Sequence, residues 1–163
     1  MVLLPEVVKT VKIPVVAAGG FCDGATLAAA LALGAVGVQM GTRFIATRES
    51  DFLQPYKDYV VNTKDVRDTI LARGLFGKIR YMKNEAAQKL LQLEKEGASE
   101  EEQFTFEMAS FAAIDRGDIV NSAMAGGEVA GRISDIPTVK ELMDRTVKEA
   151  EEIIRDRLQK LVV

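Results

Sequence analysis

Two largely apolar runs stand out in the first quarter of the chain, and only Gln39 interrupts the second. Ile13 to Ala18 stops at Gly19-Gly20, and Val36 to Met40 stops at Gly41-Thr42. Runs that lack alternating polar positions are typical of parallel strands buried on both faces. The alanine- and leucine-rich stretch from Gly24 to Leu33 predicts a helix between them. The order strand, helix, strand predicts one compact parallel unit of an α/β fold.

Helical patterns precede and follow this unit. Pro5 to Lys12 predicts a short amphipathic helix ahead of the first strand. After the second strand, Ser50 or Asp51 is placed to cap a helix that runs to about Val61. Glu85 to Glu96 predicts a further helix. Residues 63–84 show neither the helical period nor the two-residue period of a strand clearly, so we expect them to be irregular.

Two capping boxes predict the starts of the last helices. Ser99 with Glu102 predicts a helix that reaches about Arg116, and Thr138 with Glu141 predicts a long terminal helix. A glycine- and alanine-rich loop, residues 117–131, lies between them. We therefore expect a division into residues 1–62, which hold the strands, and residues 63–163, a mostly helical extension that packs on them.

A sheet of two strands is too small to stand alone. Two parallel strands cannot bury themselves, and a closed (β/α)₈ barrel typically takes about 250 residues. The chain has 163 residues. We therefore expect the sheet to have partners elsewhere, or the chain to begin inside a larger domain, and the opening helix favours the second view. Because free strand edges invite association, a homo-oligomer stays open.

The composition narrows the class of protein. Hydrophobic residues make up 48%, charged residues 28% and the net charge is -3, which are values of a globular protein without a basic stripe for nucleic acid. No apolar run approaches the roughly 20 residues that span a bilayer, and the first residues do not form a signal peptide. We expect a cytoplasmic protein with neither nucleic acid nor membrane as partner.

Catalytic groups are scarce in this sequence. The chain contains no histidine, which excludes Ser-His-Asp, Cys-His and histidine-metal chemistry within it, and one cysteine, which excludes an internal disulfide. We interpret Cys22 as a small buried residue and Asp23 as the cap of the following helix. Met40 and Met124 are candidates for contact with a ligand, and core packing is an equal alternative for Met124.

The two glycine-ended strands predict an anion site. Peptide N–H groups at such strand ends and at a helix N-terminus bind phosphate, and in (β/α)₈ barrels this site follows the last two strands. Thr42 adds a hydroxyl donor, and Arg43 is expected to add charge. Simple tight turns are the alternative. The segment GGFCDG departs from the dinucleotide pattern G-x-G-x-x-G, and the P-loop motif is absent.

The segment IPVVAAGGFCDGATLAAALALGAVGVQMGTRFIATRES resembles the nitronate monooxygenase family, also called 2-nitropropane dioxygenases, which includes flavin-dependent enoyl-acyl-carrier-protein reductases. It is similar to the strand 7, helix 7 and strand 8 region of their (β/α)₈ barrel. The resemblance continues more weakly through Tyr56 to Asp58, Arg67 to Thr69 and the loop SAMAGGEVAG.

This resemblance implies a fold, a cofactor and a site. The fold is the C-terminal part of a TIM barrel, its last two βα units, followed by a mostly helical extension. The cofactor is FMN, whose phosphate contacts fall on Ala18, Gly19, Gly20, Gln39, Met40, Gly41 and Thr42. The family's catalytic histidine lies in a GGH segment before the match, so no catalytic residue and no metal ligand is assigned to this chain.

Three functions remain open. The first is a monooxygenase-like FMN oxidoreductase that acts on a nitronate. The second is a flavin-dependent enoyl-acyl-carrier-protein reductase of fatty-acid synthesis, which acts on an enoyl thioester. The third is a non-catalytic fragment, inactive alone. Leu53 stands where the family often has a histidine, and Gly127-Glu128 stands where it often has glutamine and an apolar residue. The first departure speaks against the reductase branch, and the second leaves the class of small-molecule substrate undecided.

Overall fold

The computed structural model describes residues 2–74 and 77–161, which form an α/β fold. Its first elements are helix α1, strand β1, helix α2 and strand β2, with bounds Leu3–Thr10, Val16–Ala18, Gly24–Ala32 and Gly37–Gln39. The two strands pair in parallel, with Val16 opposite Gly37 and Ala18 opposite Gln39. The parallel strand, helix, strand unit is therefore confirmed, although each strand is shorter than the apolar run that predicted it.

Helix α2 packs on one face of this small sheet, where alanines allow close approach. Ala17, Ala30 and Ala35 are buried together, with Leu4 and Phe21 against them. The expectation of strands buried on both faces is wrong for the chain as it stands. Val16 is 56% exposed and Val36 is 62% exposed. Among the described residues, α1 and α2 cover one face, and no element covers the other.

The rest of the described chain adds five helices and a hairpin. These are helix α3, helix α4, strands β3 and β4, and helices α5, α6 and α7, with bounds Thr42–Ile45, Gln54–Asn62, Thr69–Gly74, Gly77–Met82, Glu85–Lys95, Glu100–Ile114 and Val139–Glu152. A 3₁₀ turn, Glu128–Arg132, precedes α7, while a π-helical turn, Ile153–Leu158, and a 3₁₀ turn, Gln159–Leu161, follow it.

The prediction that residues 63–84 are irregular is wrong. Strands β3 and β4 pair in antiparallel fashion from Thr69 opposite Met82 to Gly74 opposite Gly77. Helix α5 packs on this hairpin and buries Ala72, Tyr81 and its own Leu90. The hairpin is stabilised by that packing, because a two-stranded ribbon alone is marginal in water. Residues 75 and 76 lie outside the described residues.

Local sequence signals place most helix starts correctly. Both predicted capping boxes form: Ser99 with Glu102 at α6, and Thr138 with Glu141 at α7. The start of α4 differs from the prediction, because the helix begins at Gln54 with proline in its first turn and no side-chain cap. Proline is pre-organised for the first turn and lacks only an N–H that would have no helical partner there.

Helix α7 returns to the first unit and packs against α2. The N–H of Gly24 donates to the Glu149 carboxylate over 2.8 Å. A Cβ on Gly24 would lie 2.5 Å from the backbone nitrogen of Ala150, so this glycine permits the close approach of the two helices. The terminal segment therefore packs on the strand-bearing segment, and the division at residues 62 and 63 stays a prediction.

Candidate functional site

The two strand ends lie side by side. Because Ala18 is opposite Gln39 in the parallel register, the loops that follow β1 and β2 leave the sheet at the same edge. The structure thus brings to one edge all seven residues of the predicted site, which are Ala18, Gly19, Gly20, Gln39, Met40, Gly41 and Thr42. Neighbouring backbone segments with glycines are the geometry that an anion site requires.

Glycine is needed in the first of these loops for its backbone conformation. Gly19 has φ +92° and Gly20 has φ +82°, values that residues with a Cβ rarely adopt. A Cβ placed on Gly19, Gly20 or Gly41 would meet no atom within 4 Å. No protein atom therefore crowds these three positions, and a ligand can approach the backbone there.

The second loop leads directly into α3. Gly41 is the N-cap residue and Thr42 the first residue of this helix of four residues. The first N–H groups of a helix have no intrahelical acceptor. The Thr42 hydroxyl oxygen accepts a hydrogen bond of 2.9 Å from the N–H of Gly127. A hydroxyl that accepts in this way still has its own proton to donate.

Arg43 does not face this site, so the expectation that it adds charge there is wrong. Its side chain is buried, and one guanidinium nitrogen donates to the Asp135 carboxylate over 3.1 Å. The other terminal nitrogen donates to the carbonyls of Ala46 and Asp135 over 2.8 and 2.9 Å. Arg43 thus fixes the backbone on both sides of α3 from behind, because a buried cation needs such partners.

Asp135 links this arginine to the terminal helix. Its second carboxylate oxygen accepts from Arg145 of α7 over 2.7 Å. The hydrogen bond from Arg145, aided by the charge of Arg43, lowers the pKa of Asp135 below its ordinary value, although partial burial opposes the shift. Asp135 therefore stays ionised at neutral pH and connects α3 with α7.

The loop between β1 and α2 carries a second ion pair. Asp23 caps α2 by accepting from the N–H of Thr26 over 2.8 Å, which confirms the predicted cap. Its other oxygen lies 2.5 Å from a terminal nitrogen of Arg132, at the end of the 3₁₀ turn. Burial pushes the pKa of Asp23 upward, but the hydrogen bonds from Thr26 and the charge of Arg132 outweigh it and lower the pKa. Sequence reasoning missed this pair because its members lie 109 positions apart.

Cys22 lies beneath the same loop and is buried, as expected. Burial, followed by the negative charge of Asp23, raises the pKa of its thiol to about 11. A thiol with this pKa is almost entirely protonated at neutral pH, so Cys22 has the character of a structural residue.

The glycine- and alanine-rich loop reaches the site from the far side. The hydroxyl of Tyr56 donates to the carbonyl of Ala125 over 2.5 Å, and the N–H of Gly126 donates to the carbonyl of Arg80 over 3.0 Å. Met124 is buried in the main core, which supports packing over ligand contact for this residue. Held by α4 and β4 in this way, the loop presents Gly127 to Thr42.

Open clefts border the two strand ends. Ala18 and Gly19 line an apolar cleft of about 490 Å³ between α1 and α2. Met40 and Gly41 line another of about 590 Å³, together with Phe44 and the acidic Glu49. Residues 2–74 and 77–161 contain no group of His, Cys, Asp or Glu side chains arranged to hold a metal ion. Among those residues, no helix combines the length and apolar character needed to cross a membrane.

Comparison with known proteins gives consistent matches. The family model of nitronate monooxygenase matches residues 1–149. A probable nitronate monooxygenase of Staphylococcus aureus (strain Newman) is 39% identical over 93 residues, which is 56% of this chain and 26% of that protein. The family model thus covers the segment that carries the resemblance seen in the sequence.

Solved structures extend the likeness to the whole chain. FabK from Thermotoga maritima is 35% identical with a TM-score of 0.89, over 99% of this chain and 51% of that one. Nitroalkane oxidase from Streptomyces ansochromogenes is 31% identical with a TM-score of 0.73, over 92% of this chain and 43% of that one. The chain thus spans about half the length of these structures or less. Because the family model matches residues 1–149 and the solved structures share the fold, the chain belongs to the nitronate monooxygenase family.

Proposed function

We propose that this chain forms the FMN phosphate site of an FMN-dependent oxidoreductase. The observation that carries the proposal is the pair of glycine loops at one sheet edge, with Gly19 and Gly20 at positive φ and open space at both and at Gly41. The site residues in this proposal are Ala18, Gly19, Gly20, Gln39, Met40, Gly41 and Thr42. The two parallel strands would be the last two of a (β/α)₈ barrel.

The residues fit a phosphate group in two respects. Glycines without a Cβ leave room for a phosphate oxygen to reach the peptide N–H groups, and the start of α3 offers further N–H donors. The hydroxyl of Thr42 adds a donor while its oxygen remains bonded to Gly127. Neutral peptide donors of this kind bind phosphate without a buried lysine, as at other helix N-termini.

Bound FMN would supply the redox chemistry, and the protein would supply binding and orientation. The chain's own part is to fix the phosphate end of the cofactor, with Arg43 and Asp135 holding the second loop in place from behind. We assign it no catalytic residue, because the resemblance places the family's histidine outside the matched segment and the 163 residues contain none. We accordingly expect no appreciable turnover from these residues alone.

A nitronate is the substrate we propose first, because the matching family and its curated relative bear that name. The likeness to FabK favours an enoyl thioester as the second candidate. Two assays of an enzyme that contains this chain decide between these substrates. One assay supplies a nitronate and oxygen, and the other supplies an enoyl thioester and a reduced nicotinamide.

Gly41→Val tests the phosphate site itself. A Cβ at this position would meet no protein atom within 4 Å, so we expect normal folding. It would occupy the space proposed for the phosphate, and the expected loss of FMN affinity is about 1 to 2 kcal/mol, the scale of one charge-assisted hydrogen bond. Fluorescence titration with FMN measures the loss.

Gly37→Val is the matched control, since Gly37 also has open space around it but lies at the opposite end of β2. We expect this variant to bind FMN like the unchanged chain. Equal FMN affinity for Gly41→Val and the unchanged chain would overturn the proposed phosphate site.

A further inference from the structure

We propose that Arg132 is the charged residue of this anion site, a role that rests on the proposed function. The sequence suggested Arg43 for that role, but Arg43 is buried behind α3 and bonded to Asp135. A phosphate dianion next to the glycine loops would then have only neutral donors nearby. The structure places a different arginine, Arg132, against the first of these loops.

The position of Arg132 follows from the 3₁₀ turn that carries it. At one end of this turn, the N–H of Gly127 donates to the Thr42 hydroxyl on the second loop. At its other end, Arg132 pairs with Asp23, which closes the first loop. The turn therefore bridges the two loops proposed to hold the phosphate, and it brings the guanidinium to the loop that contains Gly19 and Gly20.

The guanidinium has donors left for a ligand. Its contact with Asp23 uses one terminal nitrogen, and the side chain is 51% exposed. Within the described part of the chain, its remaining N–H groups donate to no second acceptor. Since guanidinium carries five N–H donors in a planar fork, it can keep its bond to Asp23 and still donate to a phosphate oxygen.

The charge of Arg132 also acts on the interior of this loop. It favours the ionised form of the Cys22 thiol, against the burial and the Asp23 carboxylate that together raise that pKa. Arg80 of β4 is paired with Glu128 of the 3₁₀ turn over 3.2 Å and donates to Thr69 of β3. Asp23 thus holds Arg132 near the first loop, whereas Arg80 is held by the turn and the hairpin.

The test compares FMN with riboflavin, which lacks the phosphate, on the 163-residue chain. Equilibrium dialysis gives the two affinities, and their ratio isolates the contribution of the phosphate. We expect Arg132→Gln to lower this preference for FMN by about threefold to tenfold, because a half-exposed charge contributes less than a buried one. Arg132→Lys should restore part of it.

Arg155→Gln is the matched control, because Arg155 is exposed and lies on the terminal turn, paired only weakly with Glu151. It should leave the ratio unchanged. Raising the salt concentration should narrow the difference between the unchanged chain and Arg132→Gln, since ions screen an exposed charge. Thermal unfolding of each variant checks that the fold is retained.

The outcomes separate the two proposals. If the unchanged chain binds FMN no better than riboflavin, the proposed phosphate site is wrong and the role of Arg132 is wrong with it. If the unchanged chain prefers FMN and Arg132→Gln keeps the whole preference, the phosphate site stands and the role of Arg132 is overturned. Loss of preference in Arg132→Gln, with part of it recovered in Arg132→Lys, supports the role.

Discussion

A single buried cation holds the turn that follows β2. Arg43 is 2% exposed and makes its contacts to Asp135 and to two backbone carbonyls. Removing one partner of a buried pair is costly, because the other charge is left without compensation. The position of Arg43 behind the proposed site therefore depends on Asp135, although Asp135 lies 92 positions away in the sequence.

We predict that Asp135→Asn destabilises the chain at pH 7 by about 1 to 2 kcal/mol, less than for a fully buried pair because Asp135 is partly exposed. The lowered pKa of Asp135 means that its contribution is complete above about pH 4. The contribution is lost as the pH falls through the pKa of the folded state. Urea unfolding at pH 7 and pH 3 measures both effects.

The control for this prediction is Asp144→Asn, which removes an exposed pair with Lys140 within one helix. It should change the free energy of unfolding by a few tenths of a kcal/mol. An equal loss for Asp135→Asn at both pH values would show that the ionised carboxylate has no special role.

Cys22 provides a second prediction for a single residue. Because burial raises the pKa of its thiol to about 11, little thiolate is present at pH 8. We expect iodoacetamide to modify Cys22 much more slowly in the folded chain than in urea, since the thiolate is the reactive form. Mass spectrometry follows the modification. Equal rates in the two conditions would contradict the buried, protonated thiol.

At the scale of secondary-structure elements, capping signals in the sequence predicted helix starts reliably. Pairings between distant elements could not be predicted in this way. Both capping boxes and the two parallel strands were predictable because their signals lie within a few residues. The β3–β4 hairpin was missed because apolar residues occupy both faces of β3, with Leu71 exposed beside the buried Ala72, so the alternation typical of a strand is blurred. Its stability comes from α5, a partner that no local pattern of residues 63–84 reveals.

The close packing of the hairpin at Gly74 leads to a prediction for one added methyl group. A Cβ on Gly74 would lie 2.3 Å from the Tyr81 hydroxyl oxygen and 2.5 Å from a Glu107 oxygen, two atoms that are hydrogen-bonded to each other over 2.6 Å. We expect Gly74→Ala to destabilise the chain by about 1 to 3 kcal/mol, the usual cost of overpacking. Thermal unfolding measures it.

Gly37→Ala is the control for Gly74→Ala, because it adds a methyl group to a strand glycine in open space. It should have little effect or stabilise the chain slightly. If Gly74→Ala unfolds at the same temperature as the control, the close packing around Tyr81 and Glu107 is not as the structure describes it.

At the scale of the whole molecule, the chain displays a short parallel sheet with one covered face. Ile13, Val16 and Val36 are mostly exposed, although apolar runs without alternation predicted that they would be buried. The positions of the site residues were predictable, since the ends of neighbouring parallel strands meet at one edge. The roles of Arg43, Arg132 and Gly127 were not, because each depends on a contact with a distant part of the sequence.

The central claim is that the two glycine loops bind the phosphate of FMN, and amide NMR spectroscopy of the ¹⁵N-labelled chain tests it directly. We predict that FMN shifts the amide signals of Gly19, Gly20, Gly41 and Thr42, and that riboflavin shifts them much less. Peptide N–H groups that donate to a phosphate change their environment most. If FMN leaves these four signals in place, or if FMN and riboflavin shift them equally, the phosphate site is not where we have assigned it.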